Sequence, residues 1–252
     1  TAPATASNNP IDGTAFFVRQ HYLDFLNREP DADGLAFWVN GIESCGADAG
    51  CREVKRIETS AAFFLSIEFQ QTGYFVYRLY RGPLSRQPDY LEFMRDTQAI
   101  GRGLVVGAPG WEQQLDANTQ RFAEDFVTRP EFVARYPVGT TAAAYVDALY
   151  SSEGVTPTTA ERDQAIAAYG GGDTQGRARA LRIVVNNQTF TRRLTNEGFV
   201  AAEYFGYLRR NPDDPGFNFW LNKLNSFNGD FRAAEMVKAF LISDEYRKRF
   251  GQ

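Results

Sequence analysis

Apolar and aromatic residues recur along this chain with the three- and four-residue spacing of amphipathic helices. Over residues 14–27 this spacing predicts a helix with one buried face. Pro30 disfavours helical geometry at the residue before it, so the helix is expected to end at residues 27–29. Residues 31–34 supply turn chemistry and an N-cap for a second helix over 35–42. Apolar runs such as 104–106 are too short and isolated to form a sheet, and the pattern predicts an all-α fold.

This helix, turn and helix occur twice. Residues 17–42 read FVRQHYLDFLNREPDADGLAFWVNGI, and residues 199–224 read FVAAEYFGYLRRNPDDPGFNFWLNKL, with no gap in their alignment. Identical residues at aligned positions include Phe17 and Phe199, Tyr22 and Tyr204, Arg28 and Arg210, Pro30 and Pro212, Gly34 and Gly216, Phe37 and Phe219, and Trp38 and Trp220. The chain is therefore expected to contain an internal helical repeat.

Two weaker copies lie between these. The second starts at Tyr74 and keeps Pro88 and Asp89, but it lacks two residues including the turn glycine, so its turn is expected to be built differently. The third is more degenerate and predicts helices over 141–150, 158–169 and 175–194. We expect four helical repeats of about 60 residues packed into one compact helical body. The predicted parts are an extended N-terminal tail or linker (1–13) and repeats at 14–73, 74–138, 139–195 and 196–252.

Composition narrows the class of protein. With 43% apolar and 14% aromatic residues the chain can fill a core. A net charge of -4 provides no positive field for phosphates, which argues against nucleic acid as a partner. No apolar run reaches the length of a membrane-spanning helix, so membrane insertion is not expected.

The two cysteines, Cys45 and Cys51, lie in the loop SCGADAGC, an insertion of about five residues relative to the last repeat. A local disulfide is the favoured interpretation, because a metal site would need further ligands and the one histidine, His21, lies within a helical pattern. Disulfides persist in oxidising compartments, so the protein is expected to be secreted, periplasmic or at the cell surface. The opening TAPATASNNP is typical of a processed N-terminus or a linker.

The repeat motif resembles a known family. Aromatic-Val-x-x-x-Tyr-x-x-x-Leu-x-Arg-x-Pro-Asp-x-x-Gly-x-x-Phe-Trp, closed by Ser-x-Glu followed by Phe or Tyr, is similar to the bacterial domain-of-unknown-function family 4214 in the first and fourth copies. The resemblance implies all-helical modules of predicted extracellular proteins, distantly similar to phycobilisome linker domains. It implies a structural or binding role and supplies no catalytic residues.

The acidic turns are the sharpest chemical candidates. Asp31, Asp33, Asp213 and Asp214 stand beside turn glycines and could contribute to a calcium site. The turns are short, however, and lack the oxygen ligands that calcium requires. The favoured interpretation is that these aspartates cap the second helix and pair with Arg28 or Arg210. No cofactor is expected.

Four further side chains are candidates for functional residues. Trp38 and Trp220 could form an aromatic platform for a sugar, but their helical positions favour core packing. Trp111 lies in the Gly-rich connection over residues 100–111, outside the repeat pattern, and is the better candidate for a surface contact. His21 aligns with Glu203, which predicts a solvent-facing position, and no nucleophile motif accompanies it.

The sequence supports three hypotheses of function. The first is a non-catalytic extracytoplasmic structural module that binds a protein partner or its own copies, as a homo-oligomer or filament subunit. The second is a module that binds carbohydrate, an exopolysaccharide, through Trp111. The third is an unrecognised hydrolase, for which no pair of carboxylates stands out.

Overall fold

The computed structural model describes residues 9–251, and every regular element in this range is helical, which confirms the all-α prediction. A 3-10 turn (Pro10–Asp12) comes first, and wide π-helical turns (Tyr22–Leu26 and Tyr204–Leu208) follow α1 and α12. The α-helices in chain order are α1 (Thr14–His21), α2 (Ala32–Glu43), α3 (Ala49–Leu65), α4 (Ile67–Gln71), α5 (Gly73–Arg81), α6 (Tyr90–Gly101), α7 (Trp111–Phe126), α8 (Pro130–Arg135), α9 (Ala142–Glu153), α10 (Thr159–Tyr169), α11 (Thr174–Val185), α12 (Gln188–Glu203), α13 (Asp214–Ser226), α14 (Met236–Ile242) and α15 (Asp244–Lys248). No helix of the described residues is both long and apolar enough to cross a membrane.

The chain divides into two compact units. Unit one joins residues 1–69 to residues 199–252, and unit two comprises residues 70–198. The predicted first and fourth repeats therefore share unit one, although they are farthest apart in sequence. The second and third predicted repeats share unit two.

In unit one, helices from both ends of the chain build one core. Helix α1 packs against α2 and α3, and α14 packs against α3. The two π-helical turns also touch, and there the ring of Phe25 lies so close to Gly206 that a side chain at this glycine would overlap it. Tyr207 packs edge-on against Phe25 with ring centroids 5.2 Å apart.

In unit two, α11 is the central contact element, packing against α5, α7, α9 and α10. Residues 74–80 of α5 are all buried, as in a helix without a solvent face. Some polar atoms in this core bond to the backbone, as when the Tyr145 hydroxyl donates to the Arg177 carbonyl at 3.1 Å.

Two sequence-based boundaries are wrong. Within the predicted tail, residues 1–8 lie outside the described residues, but Asn9 caps the 3-10 turn and Ile11 is 1% exposed, so residues 9–13 are not an extended tail. The helix predicted over 175–194 is two helices, because the Asn187 side chain accepts hydrogen bonds from the amides of Thr189 and Phe190 and starts α12. In the fourth copy, turns over 227–235 separate α13 from α14.

Candidate functional site

The turn after the first helix has the same backbone in three of the aligned copies. Asn27, Ser85 and Arg209 each adopt a left-handed conformation, with φ of 55°, 52° and 53°. The conformation is uncommon for residues other than glycine, so its recurrence at aligned positions indicates a shared structural requirement. The second copy keeps this residue but, as expected, builds the rest of the turn differently: Asp89 caps α6 in a capping box with Glu92, which takes the place of the turn glycine.

An arginine follows each of these residues and fixes the turn. Arg28 donates two parallel hydrogen bonds to the buried Glu68, from Nε to Oε1 and from Nη2 to Oε2, both 2.7 Å long. The aligned Arg86 and Arg210 bind Glu131 and Glu245 in the same two-pronged way. Each pair joins the turn to the helix that closes its copy, and such geometry requires the planar guanidinium of arginine.

The turn aspartates act as helix caps. Asp31 accepts a hydrogen bond from the Gly34 amide at 2.8 Å, and Asp213 accepts one from the Gly216 amide at 2.9 Å. Arg28 lies 3.6 Å from Asp31, and Arg210 lies 3.3 Å from Asp213. The remaining two calcium candidates, Asp33 and Asp214, are exposed. Within residues 9–251, no group of three or more His, Cys, Asp or Glu side chains is placed to hold a metal ion.

The aromatic pairs are more exposed than predicted. Trp38 and Trp220 are half-buried and pack on Phe63 and Phe240, with ring centroids 5.8 and 5.7 Å apart. Their neighbours lie outside the core, since Phe37 is 67% and Phe219 is 58% exposed. The prediction of core packing therefore holds for one face of each indole, and the adjoining phenylalanines form an aromatic surface at two aligned positions.

His21 is fully buried, so the prediction of a solvent-facing position is wrong. Its Nδ1 lies 2.8 Å from the Phe17 carbonyl, which can only accept, so Nδ1 carries the hydrogen and Nε2 accepts from the Ser60 hydroxyl at 2.9 Å. Burial lowers the His21 pKa to about 3, and the imidazole is neutral. The sequence spacing indicates this burial, because position 21 lies on the same helix face as the apolar positions 17 and 25.

The aligned Glu203 is buried as well, at 1% exposure, and its Oε2 has no hydrogen-bond partner. Burial raises the pKa of this carboxyl well above its ordinary value. A position that alternates between His and Glu is thus an interior one in which both side chains are held uncharged.

The cysteine loop has the predicted geometry. The sulfur atoms of Cys45 and Cys51 are 1.97 Å apart, at disulfide distance, and their Cα atoms are 5.6 Å apart. Asp48 lies between them and accepts a hydrogen bond from the Cys51 amide at 3.0 Å, which caps α3. The bridge therefore closes the connection between α2 and α3 at the point where α3 begins.

Trp111 is half-buried at the first position of α7, not in the Gly-rich connection itself, and it lines a cavity of about 460 Å³ in unit two. The cavity has polar and aromatic walls, and its volume is within the range of ligand-binding pockets. Its lining includes Gln71, Phe75, Arg78, Trp111, Arg182 and Asn186. The sequence analysis selected Trp111 but missed Arg78, which occupies an unspecified position of the repeat motif.

One family model matches part of this chain. The model of the family described as "Domain of unknown function (DUF4214)" matches residues 182–250, from the end of α11 through the fourth copy. The C-terminal part of the chain is therefore similar to this family, as the repeat motif indicated. No curated protein and no solved structure matches the chain.

Proposed function

We propose that this chain is a non-catalytic structural module that acts outside the cytoplasm and binds a protein partner or further copies of itself. The observation that carries the proposal is the exposure of Phe37 (67%) and Phe219 (58%) at aligned positions. Aromatic side chains are enriched at the centres of protein interfaces, where their burial contributes much of the binding energy. Unit one therefore offers a partner two exposed phenylalanine rings as contact points.

The proposal includes a four-repeat organisation. Three copies share the left-handed residue, the arginine–glutamate pair and the capping aspartate described above. The third lacks the arginine, yet Gly154 is left-handed with φ of 61°, and Thr158 then starts α10 in a capping box with Glu161. These features support descent of all four copies from one helical unit, with the third most altered.

The extracytoplasmic location rests on the cysteines. A local disulfide between half-buried cysteines is stable in an oxidising compartment and is reduced in the cytosol of most organisms. The bridge braces a connection that contains several exposed residues.

Light scattering coupled to size-exclusion chromatography, followed by electron microscopy, tests self-association directly. We expect the wild-type chain to form oligomers or ordered assemblies, and the double variant Phe37→Ser, Phe219→Ser to shift towards monomer. Leu91→Ser with Val138→Ser is the matched control, because these residues are 74% and 73% exposed but lie in unit two. A wild-type chain that stays monomeric at all concentrations contradicts self-assembly. Equal effects of the two double variants contradict the role of the phenylalanines.

Carbohydrate binding is the second candidate function, and the cavity at Trp111 favours it. An aromatic ring beside convergent polar side chains suits a sugar, which has apolar ring faces and hydroxyl edges. A glycan array probed with wild type and Trp111→Ala tests this function. Binding by wild type that the variant loses supports it, and absence of binding by both contradicts it.

A further inference from the structure

The cavity at Trp111 contains a buried cation. Arg78 is 5% exposed and lines the cavity from α5. Its Nε donates to the Val185 carbonyl at 3.0 Å, its Nη2 donates to the Asn186 side chain at 2.7 Å, and its guanidinium lies 4.5 Å from the centre of the Tyr74 ring. The group is thus held in one orientation by neutral partners.

No carboxylate pairs with Arg78 among residues 9–251. Glu153 is the acidic side chain whose charge would act on it, but burial raises the pKa of Glu153 to about 9, so that carboxyl is uncharged at neutral pH. Burial also lowers the pKa of Arg78 to about 10, which leaves the guanidinium charged at pH 7. Buried charges are normally paired, and an unpaired one beside an open cavity is suited to an anionic ligand.

Two of the other charged groups of the cavity pair with each other. Arg182 donates to the Asp116 carboxylate at 2.5 Å and to the Gln120 side chain at 2.9 Å, so Asp116 already has a partner. Glu112 also lines the cavity, but it is exposed on the first turn of α7, so solvent screens its negative charge more than the buried charge of Arg78. No side chain caps the start of this helix at Gly110, and the partial positive charge of a helix N-terminus adds to the attraction for an anion.

We propose that this cavity binds a carboxylated sugar, a hexuronic acid unit of an acidic polysaccharide, with its carboxylate on Arg78 and its ring against Trp111. The inference rests on the second candidate function and names its ligand class. A volume of about 460 Å³ exceeds the needs of a bare inorganic anion, and the half-buried indole supplies a flat apolar wall that such an anion would not use. The buried guanidinium in turn selects a carboxylate over a neutral sugar.

Calorimetric titration at pH 7 and low salt tests whether the charge of the ligand contributes to binding. It uses only the wild-type protein, so misfolding of a variant cannot affect the result. The probes are sodium glucuronate, glucuronic acid methyl ester and glucose, which share a ring but differ in charge. We expect glucuronate to bind at least about tenfold more tightly than the ester or glucose, equivalent to ~1.4 kcal/mol. Equal affinity for all three overturns the role of Arg78 but leaves glycan binding standing. Acetate binding as tightly as glucuronate shows a simple anion site and overturns the sugar.

No binding of any probe also overturns the inference, and the glycan array then decides separately whether the broader function fails.

Two variants test the residues that line the cavity. Arg78→Lys keeps the charge but loses the planar fork, and Trp111→Ala removes the aromatic wall without touching the buried cation. We expect each to weaken glucuronate binding at least about tenfold. Arg192→Gln is the control, because Arg192 is exposed on α12 and does not line the cavity, and it should leave affinity unchanged. Undiminished binding by Trp111→Ala contradicts the proposed site.

Discussion

The hydroxyl of Tyr22 occupies the space that a side chain at Gly34 would need. A Cβ placed on Gly34 would overlap this oxygen and would also crowd the Asp31 carboxylate that caps α2. Tyr204 stands in the same relation to Gly216 in the aligned copy. The turn glycine is therefore required for the close approach of a tyrosine and not for an unusual backbone angle.

Gly34→Ala should lower the free energy of unfolding by about 1–3 kcal/mol, because the added methyl group displaces the tyrosine or the cap. Gly41→Ala is the matched control in the same helix, since nothing lies within 4 Å of a Cβ there. That change should stabilise the chain by about 0.5–1 kcal/mol through helix propensity. Urea unfolding measures both. Tyr22→Phe should restore part of the loss in Gly34→Ala, and equal effects at the two glycines would refute the clash.

Glu153→Gln should stabilise the chain at pH 8 but not at pH 4. Glu153 is 2% exposed, neither carboxyl oxygen has a hydrogen-bond partner, and burial raises its pKa to about 9. Between pH 4.5 and 9 the unfolded chain ionises this group while the folded chain keeps its proton. The stability that depends on protonated Glu153 is fully present below pH 4.5. It falls as the pH rises towards 9, by at most about 1.4 kcal/mol per pH unit.

Chemical unfolding at both pH values measures this difference. The control is Glu235→Gln, an exposed position in unit one. A Glu153→Gln effect that is the same at pH 4 and pH 8 would show that the carboxyl is not held protonated.

His21 should not titrate in the folded chain between pH 8 and about 4.5. Its pKa is lowered to about 3 by burial, with smaller contributions from the positive charges of Arg56 and Arg249. It is the one histidine in the sequence, so its ring protons can be followed without ambiguity by NMR. Because the unfolded imidazole gains a proton near pH 6.5, stability from this residue is complete above that pH and falls towards pH 3. A midpoint near 6.5 in the folded protein would contradict the buried position.

Reduction of the Cys45–Cys51 disulfide should lower the free energy of unfolding by about 2 kcal/mol without loss of helix. The bridge closes a short loop, so its effect on the entropy of the unfolded chain is modest. Denaturant titration with and without reductant measures the change, and circular dichroism reports the helix content. The variant Cys45→Ser, Cys51→Ser should match the reduced protein and be insensitive to reductant. Loss of cooperative unfolding on reduction would show that the bridge supports more than its own loop.

Trp38→Ala should lower the free energy of unfolding by about 2 kcal/mol, whereas Phe37→Ala should lower it by less than about 0.5 kcal/mol. The indole is half-buried on Phe63, so it loses less than the ~3–5 kcal/mol typical of a fully buried tryptophan. Phe37 is mostly solvated. Denaturant titration of the two variants, at a protein concentration where the chain is monomeric, compares neighbours of similar chemistry, and equal losses would show that Phe37 packs within the monomer.

The sequence predicted most of the turn but little of the cavity. The proline and the aspartate of the turn act on near neighbours along the chain, so their spacing reveals their roles. Arg28 also pairs with Glu68, which lies forty positions away in the closing Ser-x-Glu motif, and the sequence did not predict this partner. Nor did the sequence predict the position of Arg78, because the cavity it lines is assembled from α5, α7 and α11.

The amino-acid sequence by itself determined that this chain is helical, that its ends carry the same helix–turn–helix unit and that its cysteines are close enough to pair. These properties depend on local periodicity, capping and loop length. Only the tertiary structure showed that the first and last copies share a unit, that His21 and Glu203 are interior, and that Phe37 and Phe219 face outward. The exposure of a side chain depends on which distant helix packs against its own, and helical spacing defines faces without identifying what covers them.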